Sequence, residues 1–103
     1  MTNRIEMLTQ FLAEYPQDAF ARYGLAMEHS KLGQVESALE HFGKLLELHP
    51  DYTAGYFMAA QTLAAAGRAD EARTMLRRGI ASAESAGNAH AKSEMEGMLA
   101  ELG

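Results

Sequence analysis

The chain has 103 residues, a net charge of −5, and neither cysteine nor tryptophan. A chain of this length forms one domain, and without cysteine it has no disulfide, thiolate metal site or cysteine nucleophile. Its acidic balance, and the lack of an apolar run near the ~20 residues of a membrane span, predict a protein that binds neither nucleic acid nor membranes.

Helix is the secondary structure that this composition favours, because Ala and Leu are abundant and β-branched residues are scarce. Apolar residues recur at three- and four-residue steps and no segment alternates with a period of two, so we predict no sheet. The predicted helices cover residues 3–15, 18–32, 35–48, 52–66, 69–85 and 89–101. The first ten residues lack the apolar block of a secretory signal, so we expect a cytoplasmic protein.

The first predicted helix begins at a capping box formed by Asn3 and Glu6. Its apolar residues, and the proline after it, recur at the same relative positions in the third helix. The two sets are Ile5, Leu8, Phe11, Leu12 and Pro16, and Leu39, Phe42, Leu45, Leu46 and Pro50. The first helix therefore has the pattern of the second helix of a repeat that lacks its first helix.

The next four predicted helices form two units with a 34-residue period, the spacing that also relates the first helix to the third. Gly33 and Gly67 each follow a helical pattern and can take the left-handed conformation that ends a helix. Small residues flank both turns, namely Ala26 and Ala38 at the first, and Ala60 and Ala72 at the second. They would let two antiparallel helices approach closely, so each unit is a predicted helix hairpin.

The last predicted helix follows a turn at Gly87 and Asn88, and Asn88 is a suitable N-cap. Its apolar stripe consists of Ala91, Met95, Met98, Leu99 and Leu102. With one residue inserted, this stripe aligns with Tyr56, Ala60, Leu63, Ala64 and Gly67. The helix is thus a shifted copy of the first helix of a repeat, and its charged side chains suit a solubilising cap.

A single hairpin leaves an apolar face uncovered, so stacked copies are needed to form a core. We therefore predict one all-α domain over residues 1–103, an α-solenoid of antiparallel helix hairpins with about six helices. Its predicted parts are an N-terminal half-repeat at residues 1–16, repeats at 17–52 and 53–86, and a capping helix at 87–103.

These residues resemble the tetratricopeptide repeat (TPR) family, in particular its small stand-alone bacterial members. The matching residues are Leu25, Ala26, His29, Gly33, Ala38, Phe42 and Pro50, and then Ala59, Ala60, Leu63, Gly67, Ala72 and Leu76. The chain departs from the family at several of its preferred residues. The family prefers glycine at Ala26 and Ala60, tyrosine at His29 and Leu63, alanine at Leu45 and Gly79, and proline at Glu84.

The resemblance implies a right-handed superhelical stack whose first helices line a concave face, and a non-catalytic module that binds a protein or peptide there. The groove residues that it implies are Phe20, Tyr23, Met27, Ala54, Phe57, Met58 and Gln61. Flexible methionines among aromatic residues suit an apolar or amphipathic partner segment. The carboxylate clamp of chaperone-binding members is not expected, because Tyr23, Met27 and Met58 stand where it requires lysine and asparagine.

Two alternatives remain open for this apolar face. Its side chains can pack between neighbouring helices, since apolar stripes at helical spacing usually form core. The face can also pair two copies of the chain, which would make the protein a self-associating homodimer or scaffold.

No residue pattern indicates an enzyme, a cofactor or a metal site. The histidines lack the spacing of a metal motif such as HExxH, and His29 is expected to be a half-buried structural residue. Glu36 and Glu40 share a helical face, but an exposed face offers no cleft that would raise the pKa of one carboxyl. The one positive cluster, interpreted as a solvent-exposed helix face, is Arg68, Arg73, Arg77 and Arg78.

Overall fold

Residues 3–103, which this computed structural model describes, form six helices and no strand. The helices are α1 (Arg4–Glu14), α2 (Ala19–Lys31), α3 (Val35–Leu48), α4 (Thr53–Ala65), α5 (Ala69–Ala86) and α6 (Ala89–Leu102). Each begins and ends within one residue of its predicted bounds. The predicted all-α repeat fold is therefore confirmed.

Side chains cap the starts of α1, α2 and α6. The bonds run from the Glu6 N–H to Asn3 Oδ1 at 2.8 Å, from the Ala21 N–H to Asp18 Oδ2 at 2.8 Å, and from the Ala91 N–H to Asn88 Oδ1 at 3.0 Å. Each bond satisfies a donor that has no partner inside the first turn of its helix. The predicted caps Asn3 and Asn88 are thus confirmed.

The same left-handed turn ends α2 and α4. The φ angle is 73° at Gly33 and 77° at Gly67, a region in which a side chain would strain the backbone. After each glycine, an N–H bonds back across the turn to a carbonyl of the helix. These bonds join Gln34 to His29 at 3.0 Å and Arg68 to Leu63 at 2.9 Å. The requirement for glycine in this turn explains why glycine recurs with the repeat.

The core is a line of three clusters that follows the helices in chain order. Leu12 of α1 packs with Ala21 and Leu25 of α2. A second cluster joins α2, α3 and α4 around Phe42 and Leu45. A third joins α3, α4, α5 and α6, and it includes Leu46, Tyr56, Ala60, Leu63, Ala72, Leu76, Ala83 and Met95. Each helix therefore depends mainly on its neighbours along the chain.

The register of α6 differs from the predicted alignment, although the predicted stripe does pack against the core. Met95 lies against Gly79 of the preceding helix, α5. Gly79 is the repeat equivalent of Leu45, which clusters with Ala59 of α4, and α6 begins at Ala89, 36 residues after α4 begins at Thr53. Met95 therefore takes the role of Ala59, which packs towards the preceding helix, α3. The correct shift is two residues rather than one.

The extra length of α5 accounts for this shift. Pro50 follows α3 closely and prevents the helix from continuing. The equivalent position in the next repeat is Glu84, which lies inside α5. As a result α5 has 18 residues against 14 in α3, and α6 begins later than a strict repeat would place it.

Two of the four clustered arginines form contacts with other helices. The prediction that the cluster is a solvent-exposed helix face is therefore wrong for these two. Arg68 is ion-paired with Glu36 of α3. Arg73 donates a hydrogen bond to the carbonyl oxygen of Leu102 in α6 at 2.8 Å. The other two arginines are exposed, as expected. Arg68 is the N-cap residue of α5 and Arg73 lies inside the helix, and their long side chains reach α3 and α6 respectively.

Candidate partner-binding groove

A depression of about 340 Å³ lies between α2, α4 and α6 and is referred to here as the groove. The residues that line it are Tyr23, Thr53, Ala54, Phe57, Met58, Asn88, His90, Ala91, Glu94 and Met95. In the repeat pattern, α2 and α4 are first helices of hairpins and α6 is a copy of one. The groove therefore lies on the face that the first helices form together.

Most of the apolar lining comes from α4. One side of this helix packs against α3 and the other side faces the groove. Its buried side carries Gly55, where an added Cβ would lie only 3.0 Å from the side chain of Leu45, so α4 sits directly on α3. Its open side carries Ala54, Phe57 and Met58, at steps of one, three and four residues. Close packing on one side thus presents the other side to the groove.

Four of the seven predicted binding residues line the groove, namely Tyr23, Ala54, Phe57 and Met58. The other three do not line it. Phe20 and Gln61 are exposed outside the groove, and Met27 packs against the cluster around Phe42. The assignment of all seven residues to partner binding stays a prediction.

Of the large apolar side chains that line the groove, Tyr23, Phe57 and Met58 are half-buried and Met95 is buried. The Tyr23 ring centroid lies 5.4 Å from that of Tyr52 and 6.4 Å from that of Phe42. Phe57 and Met58 also pack against core clusters. One part of each side chain supports the stack and another part remains open. Core packing, one of the alternatives for this face, is therefore combined with an open apolar surface in the same residues.

Tyr23 contributes a neutral polar group to this lining. Burial raises the pKa of its hydroxyl above the ordinary value, and the neighbouring Tyr52 raises it further. The hydroxyl therefore stays protonated at neutral pH, where it can donate one hydrogen bond and accept others.

The α6 side of the groove is polar, a feature that the sequence reasoning missed. Asn88, His90 and Glu94 line this side, and His90 Nε2 lies 3.4 Å from Glu94 Oε1. Lys92, the nearest cation on α6, is paired instead with Glu84 at 3.7 Å. The lining residues include no lysine or arginine, so this groove lacks the cations with which a carboxylate clamp would hold its ligand.

The signal that could have revealed these polar residues is the repeat register. Once Met95 is equivalent to Ala59, the groove positions Ala54 and Met58 of α4 correspond to His90 and Glu94 of α6. With only one residue inserted, the predicted alignment paired His90 with Gly55 and Glu94 with Ala59, neither of which lines the groove.

Among the histidines and carboxylates considered as chemical groups, His29 and Glu36 have structural partners. His29 is half-buried, as expected; its Nδ1 lies 2.7 Å from Gln34 Oε1 and its ring stacks on His41 at 5.4 Å. Glu36 is paired with Arg68. Among residues 3–103, no group of three or more His, Cys, Asp or Glu side chains could hold a metal ion. No helix in this part of the chain is long and apolar enough to cross a membrane.

Comparison with known families identifies the repeat. The model of a family described as tetratricopeptide repeat matches residues 30–93, more than half of the chain. The chain belongs to the tetratricopeptide repeat family. A TPR repeat-containing protein of Pseudomonas aeruginosa is 34% identical over 98 residues, which cover 95% of this TPR chain and 93% of that protein. The predicted family is therefore confirmed.

Solved structures agree with this assignment. A protein of Bordetella parapertussis, known from its solution structure, has a TM-score of 0.84 and 26% identity, over 99% of this chain and 89% of that one. A tetratricopeptide repeat domain protein of Salinibacter ruber has a TM-score of 0.78 and 32% identity, over 84% and 88% of the two chains. TPR domains generally mediate protein–protein interactions and are generally not catalytic.

Proposed function

We propose that this TPR chain is a non-catalytic module that binds an apolar or amphipathic segment of a partner protein in the groove. The observation that supports the proposal is the set of half-exposed side chains, Tyr23, Phe57 and Met58, around one depression of about 340 Å³. Apolar surface of this kind gains free energy when a partner removes it from water.

The size of the groove suits a few side chains of a peptide. Its volume of about 340 Å³ is at the lower end of the range of ligand sites, roughly 300–1,000 Å³. It can accept one or two large apolar side chains from a partner helix or strand. Met58 can adjust to different partners, because its side chain is unbranched and flexible.

The charge of the groove restricts the partner further. Glu94 forms an acidic edge on the α6 side, and no lysine or arginine lines the groove. A basic residue beside the apolar anchor of the partner would meet a complementary charge, whereas an acidic residue would be repelled. The expected partner segment therefore combines large apolar side chains with an adjacent lysine or arginine.

Ala54→Arg tests the proposal without removing a core contact, because Ala54 is exposed and its new side chain would project into the groove. Ala81→Arg is the matched control, since Ala81 is also exposed but lies on α5 outside the groove. Affinity purification with each variant, followed by quantitative identification of the captured proteins, is the measurement. Proteins that bind the groove are expected to be captured by wild type and by Ala81→Arg, and not by Ala54→Arg.

Circular dichroism should first show that both variants are equally helical. If a partner then binds Ala54→Arg as well as it binds Ala81→Arg, the groove is not its binding site. Truncation of Tyr23 and Phe57 to alanine is a less specific test. Both side chains also support the stack, so their loss would weaken the fold together with the binding surface.

Pairing of two copies through this groove is the alternative use of the same surface. The groove side chains are half-buried, whereas the large apolar side chains that the structure leaves most open include three on α1 and its C-cap, far along the stack from α6. Sedimentation equilibrium of wild type and Ala54→Arg separates the cases, because self-association through the groove would raise the mass of the wild type above 11.2 kDa and be lost in the variant.

A further inference from the structure

Helix α1 and its C-cap residue carry three large apolar side chains that face solvent. Met7 is 55% exposed, Phe11 44% and Tyr15 55%. They are spaced four residues apart, which places them along one face of the helix, and the Phe11 and Tyr15 ring centroids lie 4.8 Å apart. This set of three is referred to as the α1 stripe.

The repeat shows what kind of surface the α1 stripe is. The equivalent positions in the next repeat are His41, Leu45 and His49, on α3 and its C-cap, and all three face α2 or the turn before it. The His41 ring stacks on that of His29, Leu45 is fully buried in the cluster shared with α2, and His49 Nε2 lies 2.7 Å from the carbonyl oxygen of Gln17. The α1 stripe is therefore a face that a helix covers in the next repeat, and no helix of residues 3–103 covers it.

The opposite end of the stack cannot supply the covering helix in a second copy. In the described chain, α6 exposes no large apolar side chain, and its exposed residues include Glu94, Glu96 and Glu101. Burying these carboxylates against the α1 stripe would leave them without partners, which is unfavourable. A head-to-tail filament of this chain is thus disfavoured.

The α1 stripe is instead complementary to itself. Arg4 lies at the start of α1, and Glu14 and Asp18 lie at or just beyond its end. If two copies of α1 pack antiparallel with Phe11 facing Phe11, then Met7 meets Tyr15 of the second copy. Arg4 of each copy then lies beside the acidic end of the other helix, whereas a parallel pairing would bring Glu14 beside Glu14. Glu6, the acidic residue of the first turn, is five residues from Phe11 and therefore points away from the α1 stripe.

Arg4 can take part in this pairing without giving up its partner inside the chain. Its Nε lies 2.9 Å from Glu28 Oε1, and its side chain remains 57% exposed. A guanidinium carries five N–H donors, so donors remain for a carboxylate of the second copy.

We propose that the α1 stripe is a homodimer contact, formed by antiparallel packing of α1 from two copies of this chain about Phe11. Three half-exposed side chains of this size offer roughly 300 Å² per copy. A typical stable interface buries roughly 800 Å² per partner, so this contact is smaller, and the dimer is weak and depends on concentration. The groove lies on other helices and stays open in this dimer.

Sedimentation equilibrium from about 10 µM to about 1 mM tests the proposal. The mass of the wild type is expected to rise with concentration from 11.2 kDa towards twice that value. Phe11→Glu places two carboxylates at the twofold axis and should weaken association at least tenfold. Phe20→Glu is the matched control, because Phe20 is a 72% exposed aromatic residue outside the α1 stripe, and it should associate like wild type.

The proposal is overturned if the wild type stays monomeric throughout, if Phe11→Glu associates like wild type, or if species larger than a dimer form. It is also overturned if Phe20→Glu weakens association as much as Phe11→Glu.

The antiparallel arrangement has its own test. In this register Arg4 lies opposite Asp18, so Arg4→Glu should weaken the dimer by placing two carboxylates together. Asp18→Asn removes one of these charges and keeps a side chain that can cap α2, so adding it to Arg4→Glu should recover part of the association. No recovery in the double variant rules the arrangement out, because the internal contact of Arg4 with Glu28 does not involve Asp18.

Discussion

At the scale of single residues, the contact between α2 and α3 shows how this chain uses side chains that depart from its family. His29 stands where the family prefers tyrosine, and it stacks on His41 with the two rings 11° from parallel. Arg22 Nη1 lies 3.3 Å from His41 Nδ1. Burial, then Arg22 and His29, hold the pKa of His41 below its ordinary value, and Glu40 opposes them.

This arrangement predicts a loss of stability in mild acid. The unfolded chain binds a proton at His41 near the ordinary pKa of about 6.5, and the folded chain binds it only at lower pH. The free energy of unfolding should therefore fall as the pH drops below about 6.5, until the folded protein is protonated as well. Urea unfolding at pH 7 and pH 5 measures this, and His41→Asn should lose less stability between the two than wild type. Equal losses would contradict the assignment to His41.

At the scale of helices, Gly79 decides how closely α5 packs against α4 and α6. It occupies a position where the family prefers alanine. A Cβ there would lie 2.6 Å from Tyr56 Cβ and would clash with Met95 Sδ. Met95 on α6 can occupy this space only because Gly79 on α5 has no side chain. The glycine at 79, where the family prefers alanine, and the large residue at 95, where the preceding repeat has Ala59, therefore depend on each other.

Two glycine substitutions test this explanation. Gly79→Ala should lower the free energy of unfolding by about 1–3 kcal/mol, because the core around it is already filled. Gly43→Ala should raise it by about 0.5–1 kcal/mol, since Gly43 lies inside α3 with nothing within 4 Å of an added Cβ and alanine is the better helix former. Urea unfolding measures both. If Gly79→Ala proves as stable as Gly43→Ala, the close contact at α5 does not exist as described.

At the scale of the whole molecule, the stack is elongated, with extents of 42 × 29 × 18 Å for the described residues. Its core is a line of clusters, and α1 belongs only to the first and smallest of them. In such a structure each helix is stabilised mainly by its neighbours, so the ends can open while the middle stays folded.

Hydrogen exchange should show this gradient. Leu12→Ala removes the one buried side chain of α1, and it should speed exchange of the α1 amides by roughly 30-fold or more while α4 changes much less. Leu76→Ala, in the central cluster of α5, is the comparison and should speed exchange along the whole chain. Equal effects of Leu12→Ala on α1 and α4 would show that the stack unfolds as one unit.

The sequence by itself determined the helices, the turns and the family, because these depend on residues that are close together in the chain. Gly33 and Gly67 mark turns that need a positive φ, Pro50 prevents α3 from continuing, and the alanines at the two turns permit close packing. Each of these requirements is local, so a 34-residue period in the sequence was sufficient to reveal it.

Only the tertiary structure decided which faces meet and which stay open. Phe11 and Leu45 occupy equivalent positions, yet Leu45 is buried by α2 and Phe11 is exposed, because no described helix precedes α1. The added length of α5 turned Met95 towards Gly79 and placed His90 and Glu94 beside the groove. Burial and charge at these positions depend on contacts between distant parts of the chain, which a repeat pattern does not contain.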